Sequence, residues 1–145
     1  IHLGDNTVIV GIGERTNQAG LEKLQSLFSN FNFIGVEHPE LHLDVLLTMV
    51  GDKIILADVT KLPKDFINFL SRMGIEIIVA DPTEQHSLGC NVFAIENKKV
   101  IAAAENRITN ERLKQHGIEV IEVSMPNLIK KGGGQRCMTC PTNRD

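Results

Sequence analysis

Short apolar segments of strand length recur along the chain at a nearly constant interval, each directly after a polar turn. Val8, Ile54 and Val100 lie near the start of three such segments and are 46 residues apart. A Thr or Asn of the kind preferred at helix N-caps follows each segment, and apolar residues at helical spacing come next. The helical apolar positions are Leu21, Leu24, Leu27, Phe28 and Phe31, then Phe66, Phe69, Leu70 and Met73, then Leu113.

Two further sets of strands complete the predicted repeat. One set closes the units, at residues 33–36, 75–79 and 118–123. The other set opens the units, at residues 43–49 and 91–95, and forms a hairpin with the strand that follows. The unit therefore reads strand–strand–helix–strand, and a fourth copy opens at the chain end.

Repeats of this kind bury their apolar faces by stacking on their neighbours or by closing into a ring. The sequence therefore predicts an α/β fold of repeated units. Residues 1–145 contain no linker, low-complexity tract or second domain, so we expect them to form part of one domain.

Composition narrows the class of protein. The 145 residues are 42% hydrophobic and 23% charged, the balance of a globular domain. The net charge of -3, with six Phe as the only aromatic residues, argues against nucleic-acid binding. No apolar run reaches the roughly 20 residues of a membrane span, and no signal peptide is recognisable. Three Cys without a disulfide framework favour a cytoplasmic protein, for which we expect neither nucleic-acid nor membrane partners.

Reactive side chains occupy matching places in successive units. Asp44, Asn91 and Met138 are 47 residues apart, so His42 and Cys137 also lie close to equivalent positions. In a closed ring such positions converge on one axis, where a His, a carboxylate, an amide and a thiol would meet. A Cys with a neighbouring His is a common nucleophile and acid/base pair. The spacing predicts one site built from these residues.

Two other motifs would support different chemistry. Cys137 and Cys140 form Cys-x-x-Cys, which occurs in redox centres and zinc sites, although the sequence offers no second pair of zinc ligands at suitable spacing. Gly11-x-Gly13 follows a strand as in dinucleotide-binding loops, yet Thr16 stands where the third Gly would be. We treat both motifs as alternatives to the convergent site.

The remaining Cys and His residues favour structural or solvated roles. Cys90 lies in an apolar strand and is expected in the core. His38, His86 and His116 lie in loops or at a helix end, where we expect solvated side chains. Residues 81–84 predict a turn or a helix start.

Three segments resemble the arginine deiminase family. They are Gly-Ile-Gly-Glu-Arg-Thr-Asn at 11–17, His-Leu-Asp at 42–44 with Thr48, and Gly-Gly-Gly-Gln-Arg-Cys-Met-Thr-Cys-Pro at 132–141. The resemblance extends to the wider guanidino-modifying superfamily of dimethylarginine hydrolases and amidinotransferases. It implies an α/β-propeller (pentein) of five strand–strand–helix–strand units around a central site, of which this chain is the C-terminal portion and about half.

The resemblance also implies roles for individual residues. Cys137 would be the nucleophile, His42 the general acid/base, and Asp44 the carboxylate that pairs with the substrate guanidinium. Arg15 and Asp44 would bind the substrate. The repeat spacing adds Asn91, which would either line the substrate site or serve as a turn partner at a strand end, and Arg136 next to Cys137 is also expected to bind the substrate. Many deiminases carry an Arg before the Gly run, where this sequence has Lys131. No metal or organic cofactor is implied.

The implied reaction is hydrolysis of a small-molecule guanidino substrate, and most specifically of L-arginine to L-citrulline and ammonia through a covalent thiouronium intermediate. His-Leu-Asp resembles deiminases and amidinotransferases more than dimethylarginine hydrolases, and Cys-Met-Thr-Cys-Pro resembles deiminases more than amidinotransferases. A dimethylarginine hydrolase and an arginine:glycine-type amidinotransferase are the alternatives within the superfamily.

The chain starts at Ile1 without Met, so we expect that an upstream part has been removed or belongs to another chain. A position 47 residues before Asp44 would fall upstream of Ile1. The family's other two site carboxylates, an Asp and the Glu of Glu-Gly-Gly-Asp, would also lie there. We therefore expect that the chain requires the N-terminal half of the same enzyme, or a second chain, for activity. The sequence is also compatible with a homo-oligomer. The alternative to an enzyme is that the chain is an inactive half-propeller.

Overall fold

The computed structural model describes residues 1–140 and contains three units of one architecture. The first unit comprises β1 (His2–Gly4), β2 (Thr7–Ile12), α1 (Gln18–Leu27) and β3 (Asn32–Glu37). The second comprises β4 (Leu47–Gly51), β5 (Ile54–Ala57), α2 (Lys64–Arg72) and β6 (Glu76–Val79). The third comprises β7 (Phe93–Glu96), β8 (Lys99–Ala103), α3 (Arg107–Gln115) and β9 (Glu119–Val123), and a short helix α4 (Pro126–Ile129) follows. The predicted α/β fold with its repeated unit is confirmed.

Every unit forms a mixed three-stranded sheet in chain order. The first two strands pair antiparallel, and the third pairs parallel to the second after the helical crossover. Tight polar turns join the antiparallel strands, with positive φ at Asp5, Asn6, Lys53 and Lys98. Positive φ matches the right-handed twist of hairpin strands, and Asn and Asp tolerate it well. Within the described residues, no helix is both long and apolar enough to cross a bilayer.

The hairpin turns fix which residues are equivalent between units. They pair Gly4 with Thr7, Gly51 with Ile54, and Glu96 with Lys99. The equivalent strand residues are therefore Thr7, Ile54 and Lys99, and Val8 and Val100 correspond to Ile55. The predicted equivalence of Val8, Ile54 and Val100 is wrong by one residue in the second unit. The difference matters because a shift of one residue exchanges the two faces of a strand.

The opening strands begin later than the sequence predicts. β4 starts at Leu47 because Leu43–Val45 form a 3₁₀ turn, in which the Leu46 N–H donates to the Leu43 carbonyl at 2.9 Å. β7 starts at Phe93. In place of a fourth opening strand, residues 135–138 form turns, and the described part of the chain contains no strand after β9. Pro141 of the Cys motif lies outside the described residues.

The first two sheets each pack one face on their own helix and the other face on the following unit. Ile55 of β5 shares a buried cluster with Phe66 of α2, whereas its neighbour Leu56 shares a second cluster with Val100 of the third unit. In the same way, Ile9 of the first sheet packs into the core of the second unit. The apolar cores therefore lie between units, as in other repeat proteins.

The third sheet leaves one face uncovered by residues 1–140. Phe93, Ile101 and Ile121 form a row across β7, β8 and β9. The turn pairing makes Ile101 equivalent to Ile9 and Leu56, which are 1% and 0% exposed, whereas Ile121 beside it is 38% exposed. The third unit thus presents an apolar face of the kind that the first two units bury against a neighbour.

Candidate active site

Asp44 lies in the 3₁₀ turn between β3 and β4, and the fold holds that turn firmly. The preceding residue in the turn, Leu43, is buried in the core. Thr48 of the same motif is buried, and its hydroxyl donates to the Cys90 carbonyl at 2.8 Å, which ties β4 to the segment before β7. Asp44 Oδ1 is buried and has no hydrogen-bond partner among the described residues. Because a buried unpaired carboxylate oxygen is costly, this position is suited to a cation.

Asn91 joins the starts of two units that are far apart in sequence. Its Nδ2 donates to the Asp44 carbonyl at 3.3 Å. Its Oδ1 accepts two hydrogen bonds from Cys137, from the thiol at 3.2 Å and from the backbone N–H at 3.4 Å. The Arg136 N–H donates to the Asn91 carbonyl at 3.4 Å. The structure therefore brings together four of the residues that the spacing and the resemblance select.

The convergence does not arise from strict equivalence of Asp44 and Asn91. Met49 pairs with Ile55, and Ala94 pairs with Val100. Since Ile55 and Val100 are equivalent, Asn91 corresponds to Leu46 and not to Asp44. The 3₁₀ turn before β4 folds the Asp44 carbonyl back to the place where Asn91 can reach it.

A glycine permits the close approach of the Cys137 turn to Asn91. A Cβ built on Gly134 would overlap Asn91 Oδ1 and would lie 3.1 Å from its Cγ. Any larger residue at position 134 would therefore push the turn away from the amide. The adjacent Gly133 has no such constraint, because its nearest neighbour would be the Leu128 carbonyl at 4.0 Å.

A cleft of about 970 Å³ opens in front of these groups. His42, Asp44, Arg136 and Cys137 line one side of it. His42 and Cys137 are exposed, and Asp44 and Arg136 are half-buried. A nucleophile, an imidazole, a carboxylate and a guanidinium thus face one volume, which is what covalent chemistry on a small charged substrate requires.

Arg15 reaches the same side of the molecule from the loop between β2 and α1. It lines a smaller cavity of about 180 Å³ together with His42 and Asp44. The Arg15 side chain is exposed. All six residues predicted for the site therefore lie in or directly behind two adjoining cavities.

Part of the cleft is formed by residues that were not predicted from the sequence. Gln85 and His86 of the 3₁₀ turn Pro82–Ser87 line it, with Lys61, which forms an ion pair with Glu40 at 2.6 Å. The turn at residues 81–84 was predicted from the sequence. In the structure Asp81 caps it by accepting a hydrogen bond from the Thr83 N–H. The position of this turn in the same cleft as Cys137 depends on packing between units, for which the sequence carries no local signal.

His38 corrects the prediction of a solvated side chain. It is half-buried, and a Cβ built on Gly11 would overlap its ring. Burial lowers the pKa of His38, while the nearby Glu40 carboxylate acts in the opposite direction. Gly13 approaches the His38 carbonyl in the same way, at 3.3 Å from a built Cβ. Close packing against His38 therefore accounts for both glycines of the Gly-x-Gly motif.

The three thiols differ sharply in environment. Cys90 is 2% exposed, as predicted for a core residue, whereas Cys137 and Cys140 are exposed. Burial raises the pKa of the Cys90 thiol to about 12, and the nearby charge of Asp58 acts in the same direction. Because the thiolate is the reactive form, Cys90 is protected both by burial and by its protonation. Within residues 1–140, no group of three or more His, Cys, Asp and Glu is placed to hold a metal ion.

Alkylation tests this difference directly. Iodoacetamide at about pH 8 is expected to modify Cys137 and Cys140 in the native protein and to leave Cys90 unmodified, since its pKa lies far above that pH. Peptide mass mapping measures the extent at each thiol. In guanidinium chloride all three should react, which serves as the control. Native labelling of Cys90 at the rate of Cys140 would contradict the buried assignment.

Structural comparison gives the class of protein. The chain superposes with a TM-score of 0.80 on SxtG, an amidinotransferase from Microseira wollei in the saxitoxin biosynthetic pathway. The two are 25% identical, and the match covers 97% of this chain and 45% of that one. With its ββαβ units and its convergent cleft, the molecule is an α/β protein of the pentein superfamily.

Sequence comparison gives the family. A family model described as arginine deiminase matches residues 54–144, so the chain belongs to the arginine deiminase family. The arginine deiminase of Listeria welshimeri is 30% identical over 188 residues, covering 99% of this chain and 46% of the relative. The protein YkgA of Bacillus subtilis is 30% identical over 144 residues, covering 98% of this chain and 50% of the relative. The chain spans about half the length of these curated relatives.

Proposed function

We propose that this chain carries the nucleophile half of a cytoplasmic enzyme that hydrolyses L-arginine to L-citrulline and ammonia. The observation that carries the proposal is the shared cleft, which is lined by the exposed Cys137, by His42 and by the half-buried Asp44. Membership of the arginine deiminase family supports the choice of a guanidino group as the reacting centre. The cytoplasmic location rests on the three unpaired thiols.

Binding would depend on charge and planarity. The Asp44 carboxylate would hold the flat guanidinium cation through charge-assisted hydrogen bonds. Arg15 and Arg136 lie on either side of this position, in the small cavity and the large cleft respectively. They would pair with the carboxylate at the other end of an amino-acid substrate.

The reaction would proceed in two displacement steps. The Cys137 thiolate attacks the guanidinium carbon, the C–N bond breaks, and ammonia leaves with a proton from His42. This gives a covalent thiouronium on sulfur. His42 then removes a proton from water, the hydroxide adds to the same carbon, and the C–S bond breaks to return the thiolate and a ureido product. A substrate cation beside the sulfur favours its ionised form by Coulomb attraction.

Two observations favour a related reaction as the second candidate. The fold superposes on an amidinotransferase, and the Listeria deiminase uses 188 residues where this chain uses no more than 145. That deiminase therefore has insertions within the matched region, whereas the match to YkgA is of equal length. A dimethylarginine hydrolase or an arginine:glycine-type amidinotransferase would use the same nucleophile.

Product analysis separates the candidates. The complete enzyme is incubated with arginine, with asymmetric dimethylarginine, and with arginine plus glycine, and the products are measured by chromatography. Citrulline and ammonia from arginine alone support the deiminase. Dimethylamine from the methylated substrate would indicate a dimethylarginine hydrolase instead. Ornithine and guanidinoacetate formed only when glycine is present would indicate an amidinotransferase. An absence of all these products from the complete enzyme would overturn the proposal.

We also propose that the chain is about half of a closed propeller. The open row Phe93–Ile101–Ile121 repeats a surface that the first two sheets bury against the next unit. At the opposite end, Leu27 and Phe28 of the first unit are 60% and 48% exposed. The N-terminal half of the same enzyme fits both ends, because further units would continue the same packing. The alternative occupant is a second chain with these units.

The affinity of this chain for the N-terminal half tests whether the uncovered row of the third sheet is the contact surface. Ile121→Lys places a charge in the centre of the uncovered row and is expected to weaken association with a separately supplied N-terminal half by about 10-fold or more. Titration calorimetry measures the affinity, and turnover should fall in parallel. Ile108→Lys is the matched control, since Ile108 is 47% exposed on α3, away from that face. Full turnover by the 145-residue chain alone, or equal affinity of the two variants, would contradict the half-ring.

A further inference from the structure

We infer that Asn91 is a positioning residue, which holds the Cys137 turn and the Asp44 turn in one fixed arrangement. This inference rests on the proposed role of Cys137 as the nucleophile. The sequence predicts that Asn91 contacts the substrate. The geometry points instead to a place behind the reacting groups.

Both polar atoms of the Asn91 side-chain amide form hydrogen bonds within the chain. Oδ1 accepts from the Cys137 thiol at 3.2 Å and from the Cys137 N–H at 3.4 Å. Nδ2 donates to the Asp44 carbonyl at 3.3 Å. One amide therefore sets the separation between the sulfur and the backbone that carries the guanidinium-binding carboxylate.

Burial separates Asn91 from the substrate. Its exposure is 0%, whereas Cys137 and His42 are exposed to the cleft. Gly134 lies so close to the amide that a side chain there would overlap it. A molecule in the cleft would meet the sulfur before it met Asn91, and the amide supports the site from its inner side.

Cys137 needs such support because its own segment is irregular. It lies in a turn outside the helices and strands, where the Met138 N–H donates to the Gly134 carbonyl at 3.3 Å. An exposed Cys side chain has three staggered rotamers, and only some would aim the sulfur at a bound guanidinium. The thiol contact to Asn91 selects a rotamer in the resting site. The contact from the Cys137 N–H persists when the sulfur is ionised and keeps the turn in place.

The test is a split between kcat and KM. Asn91→Leu keeps the branched shape of the side chain and removes its three polar contacts. In the complete enzyme, kcat for arginine is expected to fall about 100-fold, as for a misplacement of about 1 Å, while KM changes less than about threefold. Active sites are counted by covalent titration with 2-chloroacetamidine, so that kcat is expressed per competent site. A raised KM with unchanged kcat would show a substrate contact instead, and an unchanged kcat per site would show a role in folding alone.

A second pair of variants disturbs the contact without altering Asn91. Gly134→Ala inserts a methyl group against the amide and is expected to lower kcat as Asn91→Leu does. Gly133→Ala is the matched control, because open space surrounds that position, and its kcat should equal that of the wild type. Equal kcat in both glycine variants would overturn the inference. Failure of the proposed function is distinct, because the wild-type Cys137 would then take up no reagent at all.

Discussion

Cys137→Ser is expected to reduce kcat for arginine by a factor on the order of 10⁴ or more, to the limit of detection. A serine hydroxyl stays protonated at neutral pH and is a far weaker nucleophile than a thiolate, while the rest of the cleft is unchanged. Because Cys137 is exposed and outside the buried clusters, the thermal midpoint should stay within about 2 °C of the wild-type value. Citrulline formation and a thermal melt measure the two quantities.

Cys140→Ser is the matched control for this loss. Cys140 is also an exposed free thiol and lies three residues further on. We expect it to keep kcat within about threefold of the wild type, since nothing in the proposed chemistry uses its sulfur. If both serine variants lost activity equally, the pair would act together, and the Cys-x-x-Cys redox alternative would replace the nucleophile.

Asp44→Asn is expected to lower kcat/KM for arginine by about 100-fold to 1000-fold, with stability unchanged or slightly raised. The substitution keeps the shape but removes the charge that would pair with the guanidinium. Asp44 Oδ1 is buried without a partner in the described structure, so neutralising it relieves a desolvation cost in the free protein. Steady-state kinetics measure the loss of kcat/KM, and chemical denaturation measures the change in the free energy of unfolding.

Asp52→Asn serves as the comparison for charge alone. Asp52 is exposed in the turn between β4 and β5, and its substitution changes the net charge by the same amount. We expect its kcat/KM to match that of the wild type. A loss of stability in Asp44→Asn as large as its loss of activity would show that Asp44 supports the turn, and would remove it from the substrate site.

The repeated unit was predictable because its signals are local. Polar turns with Asn, Asp and Lys precede each central strand, and helical spacing follows, so strand and helix types agree with the structure. The gathering of Asp44, Asn91 and Cys137 was predictable from equal spacing, although the strand register shows that Asn91 corresponds to Leu46. Spacing located the site because the units are nearly equal in length.

What the sequence left out depends on contacts between units. The burial of His38 against Gly11 and the presence of Gln85 in the same cleft as Cys137 follow from packing of segments far apart in the chain. The start of β4 was misplaced because the apolar residues of Leu43–Val45 suit a strand and a buried 3₁₀ turn equally. The sequence likewise left the role of Asn91 open, since it does not show whether an amide is buried against a turn or exposed to a substrate.

Trapping the covalent intermediate tests the central claim most directly. The complete enzyme is mixed with arginine, quenched in acid within the first turnovers, digested and mapped by mass spectrometry. We predict a mass increase on Cys137 equal to arginine minus ammonia, present in the wild type and absent from Cys137→Ser. Turnover without any adduct on Cys137, or an adduct carried by Cys140 or Cys90, would contradict the assignment of Cys137 as the nucleophile.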